Sequence, residues 1–419
     1  MRFSPPSSTR CCIAGGGPAG MMLGLLLARA GVDVAVLEKH GDFLRDFRGD
    51  TVHPSTLQLM HELGLLESFL QRPHDKAHDI RAVIGGTESV IADFSRLRTR
   101  CRFIAMVPQW EFLDFLRDEA ALYPGFQLSM ETEAVGLIER AGRITGVRAR
   151  TTTGEVLIQA DLVIGADGRK SAVREAAGLQ VRDLGAPIDV LWMRIIKLRT
   201  DPSGSGGRIG TGRFMAMIDR GTYWQCAYVI HKGGSEAIRE RGLDAFRADI
   251  VALVPLFADR IKAQVASWDD VKLLSVSVDR LTRWWRPGLL CIGDAAHAMS
   301  PIGGVGINLA IQDAVAAANV LAEPLADARV SAERLTPLLA KVQRRRMLPT
   351  RLTQAVQVAA QSRLINPLLD STQPPQVPWV LKLLDRWPAL RALPAYAVGV
   401  GARPEHVRSP ELTRPAMPH

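Results

Sequence analysis

TRCCIAGGGPAGMMLGLLLARAGVDVAVLE, residues 9–38, reads as strand, glycine turn, helix, strand. Cys11–Ala14 is a short apolar run suited to a buried parallel strand. Gly15, Gly17 and Gly20 follow at G-x-G-x-x-G spacing. In that pattern the first glycine allows the tight turn, the second lets backbone approach a pyrophosphate, and the third lets the helix pack close to the strand. Met21–Ala30 holds good helix formers and stops at Gly31; Val32–Leu37 is a second strand. Glu38 ends that strand, close to the offset at which a carboxylate meets a ribose diol. The helix N-terminus adds unpaired N–H groups and partial positive charge for phosphates. Glycine turns are common, but the strand before this one and the helix after it make it a dinucleotide site. The glycines do not distinguish FAD from NAD(P).

The chain has 419 residues, enough for two or three domains, and at 47% hydrophobic and 23% charged it is ordinary globular material. Its net charge is +9, yet the arginines are scattered, with Arg344–Arg346 the one tight run, and aromatics are few. That pattern favours solubility and attraction of anionic ligands over nucleic-acid binding. Cys11, Cys12, Cys101, Cys226 and Cys291 are odd in number and lack C-x-x-C spacing, so neither a metal site nor a disulfide framework is expected. A reduced cytoplasm suits them. No signal peptide and no membrane span is expected.

Further along, Pro54 starts a helix carrying Leu57, Met60, Leu63 and Leu65, with Arg48 just before it in reach of a cofactor. His53 reads as structural. Residues 72–102 look like strands added outside the nucleotide fold. Val107–Leu122 is a helix with Gln109 near its start, a cofactor hydrogen-bonder or a surface residue. Phe126–Ile158 reads as hairpins turning at Ala141–Gly142 and Thr153–Gly154. Leu162–Ile164 is a strand ending in the turn Gly165–Gly168, with Ser171 capping the next helix. Asp167, at that strand's carboxyl end, lies where open α/β sheets bind ligands. Residues 190–278 read as a second, largely antiparallel sheet, with Gly204–Gly212 a flexible loop and Leu243–Val251 a helix. Its side chains Trp192, Met193, Met215, Met217, Trp224 and Tyr228 are candidates to line an apolar pocket; the plain alternative is that they fill a core. Leu289–Ile292 is a strand ended by Gly293–Asp294, and Pro301–Gly306 opens a long helix stopping near Pro324. Its start presents N–H groups to something electron-rich, Asp294 suits a hydroxyl chain, and His297 packs in the turn. Residues 332–419 read as a helical cover with a largely solvated basic face over Ala340–Leu364, and a homodimer contact.

GGGPAG at Gly15–Gly20, GADGRKSAVR at Gly165–Arg174 and GDAAHAMSPIGGVGINLAIQDA at Gly293–Ala314 occur in that order. Together they resemble the single-component FAD-dependent aromatic hydroxylases of the p-hydroxybenzoate and salicylate hydroxylase group. The resemblance implies an α/β fold: a Rossmann-like FAD-binding domain (1–77, 106–182, 275–330) interleaved with a mainly antiparallel substrate-binding sheet domain (78–105, 183–274), then a C-terminal helical region (331–419). It implies that Gly15, Gly17, Pro18, Ala19 and Gly20 cradle the FAD pyrophosphate and that Glu38, with Lys39 beside it, holds the adenosine ribose. Arg48 and Gln109 match FAD contacts, and Asp167 serves FAD and nicotinamide. Asp294, after Gly293, holds the ribityl chain, while Pro301, Gly304, Val305, Gly306 and Asn308 lie against the isoalloxazine. The implied activity is hydroxylation of a phenolic or polycyclic substrate with NAD(P)H and O2 through a flavin C4a-hydroperoxide, with no side chain acting as nucleophile. The tyrosine network that activates a phenol in p-hydroxybenzoate hydroxylase finds no match among Tyr123, Tyr223, Tyr228 and Tyr396. Rival activities on the same cofactor fold are a flavin halogenase, whose W-x-W-x-I-P signature is absent, and a prenyl-chain reductase. A flavin-bound regulatory protein without turnover is the rival outside enzymes.

Overall fold

The computed structural model describes residues 5–44 and 51–412. The strand Ser8–Ala14, its last four side chains buried, lies inside an eight-stranded sheet. It pairs in parallel with Val34–Leu37 on one side and Gly154–Gly165 on the other. Phe126–Ser129 and Leu289–Cys291 extend the parallel set outward. Strands covered on both faces need continuous apolar runs, which CCIA and VAVL supply. The long strand Gly154–Gly165 serves twice: its start pairs antiparallel with Arg143–Thr151, and its end enters the parallel sheet. Ala141 and Gly142 both take positive φ, 49° and 77°, as a two-residue hairpin turn demands. Phe126–Ser129, expected within the hairpins, joins the parallel sheet instead.

The first helix spans Pro18–Arg29, with ten residues buried in succession. It packs against Val305–Ala326, which runs two residues past Pro324 and is likewise apolar nearly all round. That second helix is long and apolar enough to cross a bilayer, but 78% of its apolar window is buried inside the protein. Helices without a polar face belong in cores.

The second sheet has seven strands in the order Lys272–Leu274, Ile188–Ile196, Tyr223–His231, Arg213–Asp219, Gly206–Gly210, Asp79–Ile84, Thr87–Asp93. Only the pairing of Gly206–Gly210 with Asp79–Ile84 is parallel. The glycine stretch expected as a loop is thus a strand. Glycine fits there because a Cβ on Gly206 would stand 3.0 Å from the Arg81 carbonyl oxygen. The helix Leu243–Leu253 covers one face of this sheet.

The C-terminal region is helical, beginning with Thr336–Ala360, which continues as a π-turn at Gln361–Ile365. Trp379–Arg386 and Ala392–Gly399 lie against the edge strand Thr87–Asp93. The basic run at Arg344–Arg346, expected in solvent, is divided by helix geometry. Arg344 is exposed, whereas Arg346 is fully buried. Beyond the last helix, residues 403–412 strap the nucleotide-fold helices. Glu405 N–H donates to Gln312, His406 Nδ1 lies 2.6 Å from Glu62, and Leu412 N–H donates to the Arg29 carbonyl.

Candidate nucleotide and substrate site

Gly15 sits at φ 108°, and a Cβ on it would fall 2.3 Å from the Ala166 carbonyl oxygen. The first glycine turn therefore touches the Gly165–Gly168 turn directly. A Cβ on Gly20 would fall 1.9 Å from the Gly15 carbonyl oxygen, so helix and strand meet there. Gly17 differs: nothing lies within 4 Å of its added Cβ. It is the N-cap of Pro18–Arg29 and has no side-chain cap, leaving helix-end N–H groups facing open space. Ala19 lines the same turn from the helix. Glu38, buried at the strand end, accepts from Gly16 N–H at 3.1 Å and His40 N–H at 3.0 Å. Lys39 is exposed, and Arg48 lies outside the described residues. Gln109 is half-buried at the first position of Gln109–Ala120.

Asp167 caps the short helix Ala172–Ala176: it accepts from the Ser171 hydroxyl and from Val173 N–H at 3.1 Å, while Ser171 Oγ accepts from Arg174 N–H. Burial pushes its carboxyl above the ordinary range against these bonds. Asp294 pairs with Arg169 at 3.2 Å, so the Gly165–Gly168 and Gly293–Asp294 turns are joined by an ion pair, each partner about one-third exposed. Gly293, at φ 57°, is hemmed in: its Cβ would lie 3.1 Å from Cβ of both Ala19 and Ala310. Three turns far apart in sequence thus close on one another at the carboxyl end of the parallel strands, where such sheets bind ligands.

Gly303 and Gly304 take φ of 77° and 63° in the loop that begins at Pro301, and Val305 starts the core helix without a side-chain cap. A Cβ on Gly304 would fall 2.4 Å from Thr51 Oγ1, which donates to the Gly304 carbonyl at 3.1 Å. Gly306 has room, its nearest neighbour being Met299 at 3.7 Å. The Asn308 amide is taken up by the protein: it donates to the carbonyls of Thr51 and Gly304 and accepts from His53 N–H and Thr56 Oγ1. Its side chain ties the Thr51–Thr56 segment to the start of the core helix.

Behind the Gly293 turn, Asp313 is fully buried. It accepts from Gly293 N–H at 3.1 Å and Arg346 Nε at 2.9 Å and lies 2.6 Å from His297 Nε2. Burial opposes the carboxylate, but His297 and Arg346 outweigh it and hold its pKa below the ordinary range. Glu405 adds a second carboxylate, bonded to Arg345 at 2.7 Å and reaching Arg346. His297 is buried in the turn and paired with Asp313, in line with the packing its sequence context indicates. Asp313 and Arg346 escape a motif-based reading, although a buried acid on an apolar helix demands a buried cation.

The second sheet divides the pocket candidates between its two faces. Met193, Met215, Met217, Trp224 and Tyr228 share one face and pack into a core with Phe246, Ile250 and Phe257 from the covering helices. Tyr228 meets Phe246 edge-on at 5.3 Å, and burial pushes its phenol up to about 12. The parity of the strands marks the residues that point the same way but does not say which face the helix covers. Trp192 lies on the opposite face with Phe214, Ala216, Ile218 and Ala227, and this face meets Ile302 of the glycine loop and the C-terminal helices. Phe214, Ala216 and Ile218 are only half-buried although they sit in mid-sheet. A separate cleft of about 730 Å³, lined by Arg10, Asp33, Gln159 and Asp161 among others, opens at the other end of the parallel strands.

Residues 8–353 match the FAD binding domain family. The chain is 34% identical over 396 residues to 6-methylpretetramide 4-monooxygenase of Streptomyces rimosus, covering 93% of this chain and 92% of that protein. It is 25% identical over 308 residues to pentachlorophenol 4-monooxygenase of Sphingobium chlorophenolicum, 72% of this chain and 56% of that one. Against several other curated relatives it likewise spans less than two thirds of their length. The fold is that of PqsL from Pseudomonas aeruginosa, with TM-score 0.69, 22% identity, and coverage of 93% of this chain and 99% of that one. It is also that of the Streptomyces rimosus anhydrotetracycline hydroxylase OxyS, with TM-score 0.69, 20% identity, and coverage of 94% and 76%.

Proposed function

This chain belongs to the FAD-dependent aromatic monooxygenases, and from that premise we propose that it uses NAD(P)H and O2 to hydroxylate a fused-ring phenol lying between the second sheet and the Pro301–Gly306 loop. The observation that carries the proposal is the strip of small residues on the face of that sheet turned toward Ile302. Ala227, Ala216 and Gly207 stand side by side across three strands, with Trp192 at one end of the row, a strip of small residues beside an indole in which Ala216 and Gly207 are half-buried. A flat aromatic suits such a floor, and the substrate named for the Streptomyces relative suggests a polycyclic one.

The residues present fit FAD. Gly17 leaves the first helix end open, and Glu38 ends the neighbouring strand with its carboxylate on Gly16 N–H. The chemistry supplied by bound FAD is acceptance of a hydride and activation of O2. The protein's share is placement. Gly15, Gly17, Pro18, Ala19 and Gly20 hold the pyrophosphate, Glu38 and Lys39 the adenosine side, and Asp294 with Arg169 the ribityl chain. Asp167 and Gln109 flank the cofactor. The uncapped N-terminus at Val305 and Gly306 stabilises negative charge on the reduced ring. The Ile302 contact with the sheet closes the site against water.

The five cysteines, all buried and unpaired, suit a reducing cytoplasm. The exposed stripe Leu348, Leu352 and Val356 on the C-terminal helix suits a homodimer contact, which light scattering would check.

The direct test is NAD(P)H oxidation by the yellow holoenzyme with a panel of fused-ring phenols. Accelerated oxidation with hydroxylated product is expected for some of them. Oxidation that never yields a hydroxylated aromatic would refute the proposal.

A further inference from the structure

The helix Thr336–Ala360 and its π-turn carry Gln343, Gln354, Gln357 and Gln361, at offsets of about three, four and five turns from the first. Each of them bonds a segment of the nucleotide fold. Gln343 accepts from Trp284 N–H at 3.2 Å and donates to the Thr282 carbonyl at 3.1 Å. Gln354 donates to the carbonyls of Asp279 and Ala298 and accepts from Arg280. Gln357 accepts from Ser300 N–H at 3.1 Å and donates to the carbonyls of Ser300 and Ile302, both at 3.0 Å. Gln361 donates to Ser300 Oγ at 2.6 Å.

A carboxamide carries an acceptor and two donors on one plane, so it can bond peptide N–H and C=O together. Residues 299–302 have left the strand that ends at Ala298, and their buried backbone groups have no ladder to join. The glutamines stand in for that ladder. Gln357 is itself buried, and its three bonds grip both ends of the Ser300–Ile302 segment. About two turns further on, Ile365 packs with Ile188 and Val229 of the second sheet and with Ile302 of the loop. The same helix therefore touches the loop and the sheet.

We propose that Gln357 is a positioning residue for the reaction: it fixes the attitude of the Pro301–Gly306 loop, and with it the aim of the uncapped Val305 helix end at the flavin. The inference rests on that loop being the flavin contact. It gives the C-terminal region a part in the active site, although none of its side chains need touch a cofactor or substrate.

Gln343 supplies the control, because it makes the same kind of clamp on the same helix away from the loop. Holoenzymes of wild type, Gln357→Leu and Gln343→Leu would be compared in melting temperature, FAD dissociation constant by flavin fluorescence, and visible absorption band. NAD(P)H consumed without product, in the presence of a fused-ring phenol that wild type turns over, would be read beside them. Gln357→Leu is expected to weaken FAD by about tenfold, shift the visible band and raise the unproductive share; Gln343→Leu is expected to lower only the melting temperature. Equal FAD constants and unchanged bands in both variants would overturn the proposal. Should Gln357→Leu not fold, Gln357→Glu keeps the acceptor for Ser300 N–H, loses the donors, and is judged by the same readouts. A wild type that fails to bind FAD would sink the flavin reading itself, a result distinct from two indistinguishable variants.

Discussion

His53 should make the protein lose stability in mild acid, by an amount that follows from its surroundings. Its ring is fully buried, with Nδ1 at 2.8 Å from the Val398 carbonyl. Nδ1 therefore carries the proton, and Nε2 has no hydrogen-bond partner among the described residues. A second proton would be buried without an acceptor, and burial lowers the pKa to about 4 despite the bond to Val398. An unfolded chain takes up that proton near the ordinary value of about 6.5. Between the two values the unfolded state binds more protons, so stability is complete above about 6.5, falls as pH drops, and levels below about 4. The gap is on the order of 3 kcal/mol in full, of which about 2 kcal/mol is lost between about pH 7 and about pH 5. His53→Gln offers Val398 an amide donor and does not titrate. Urea unfolding of both proteins, followed by tryptophan fluorescence, should show wild type losing its margin over the variant by that amount across the interval. A difference between the two that stays constant with pH would refute the account of a neutral, enclosed imidazole.

Other substitutions separate the roles inside the site. Gly17→Ala should leave the melting temperature of flavin-free protein unchanged yet weaken FAD by about tenfold or more, because its methyl enters the open space in which the proposal seats the pyrophosphate; Gly20→Ala should lower both, since its methyl meets the Gly15 carbonyl. Asp313→Asn should cost about 3–5 kcal/mol in chemical denaturation by leaving Arg346 buried without a full counter-charge. The depressed pKa of Asp313 means that its contribution is present above the ordinary carboxylate range and is lost as pH falls through its lowered value, so acid unfolding of the Asn variant should be shallower. Ala216→Leu should raise KM for a fused-ring phenol with little change in melting temperature, while Met217→Ala, on the helix-covered face, should cost about 2–4 kcal/mol of stability and leave KM near wild type. Identical behaviour of that last pair would mean that the substrate face has been misassigned.

The glycine turns are legible because their rules are local. Gly15, Gly20 and Gly293 are needed where a side chain would strike a neighbouring carbonyl or methyl, and spacing alone announces that. The strands CCIA and VAVL declare burial on both faces by composition. What escapes is decided by remote partners. Alternation along 188–231 reveals two faces but not that Leu243–Leu253 covers the one bearing Met215 and Trp224. Arg346 looks like one of three surface arginines until Asp313, on another helix, is placed beside it. Gly206–Gly210 is irregular by composition and becomes a strand because Asp79–Ile84 and Arg213–Asp219 flank it.

The strap over residues 403–412 has a consequence for biosynthesis. The glycine turn leaves the ribosome about four hundred residues before Glu405 does, yet the carboxylate that completes the Asp313–Arg346 network behind Gly293 arrives only then. The network behind Gly293 therefore closes only after the whole stretch from the glycine turn to Glu405 has been made. Loss of the Glu405 carboxylate alone would leave the buried Arg346 with Asp313 as its remaining acidic partner, without altering any residue of the three glycine motifs.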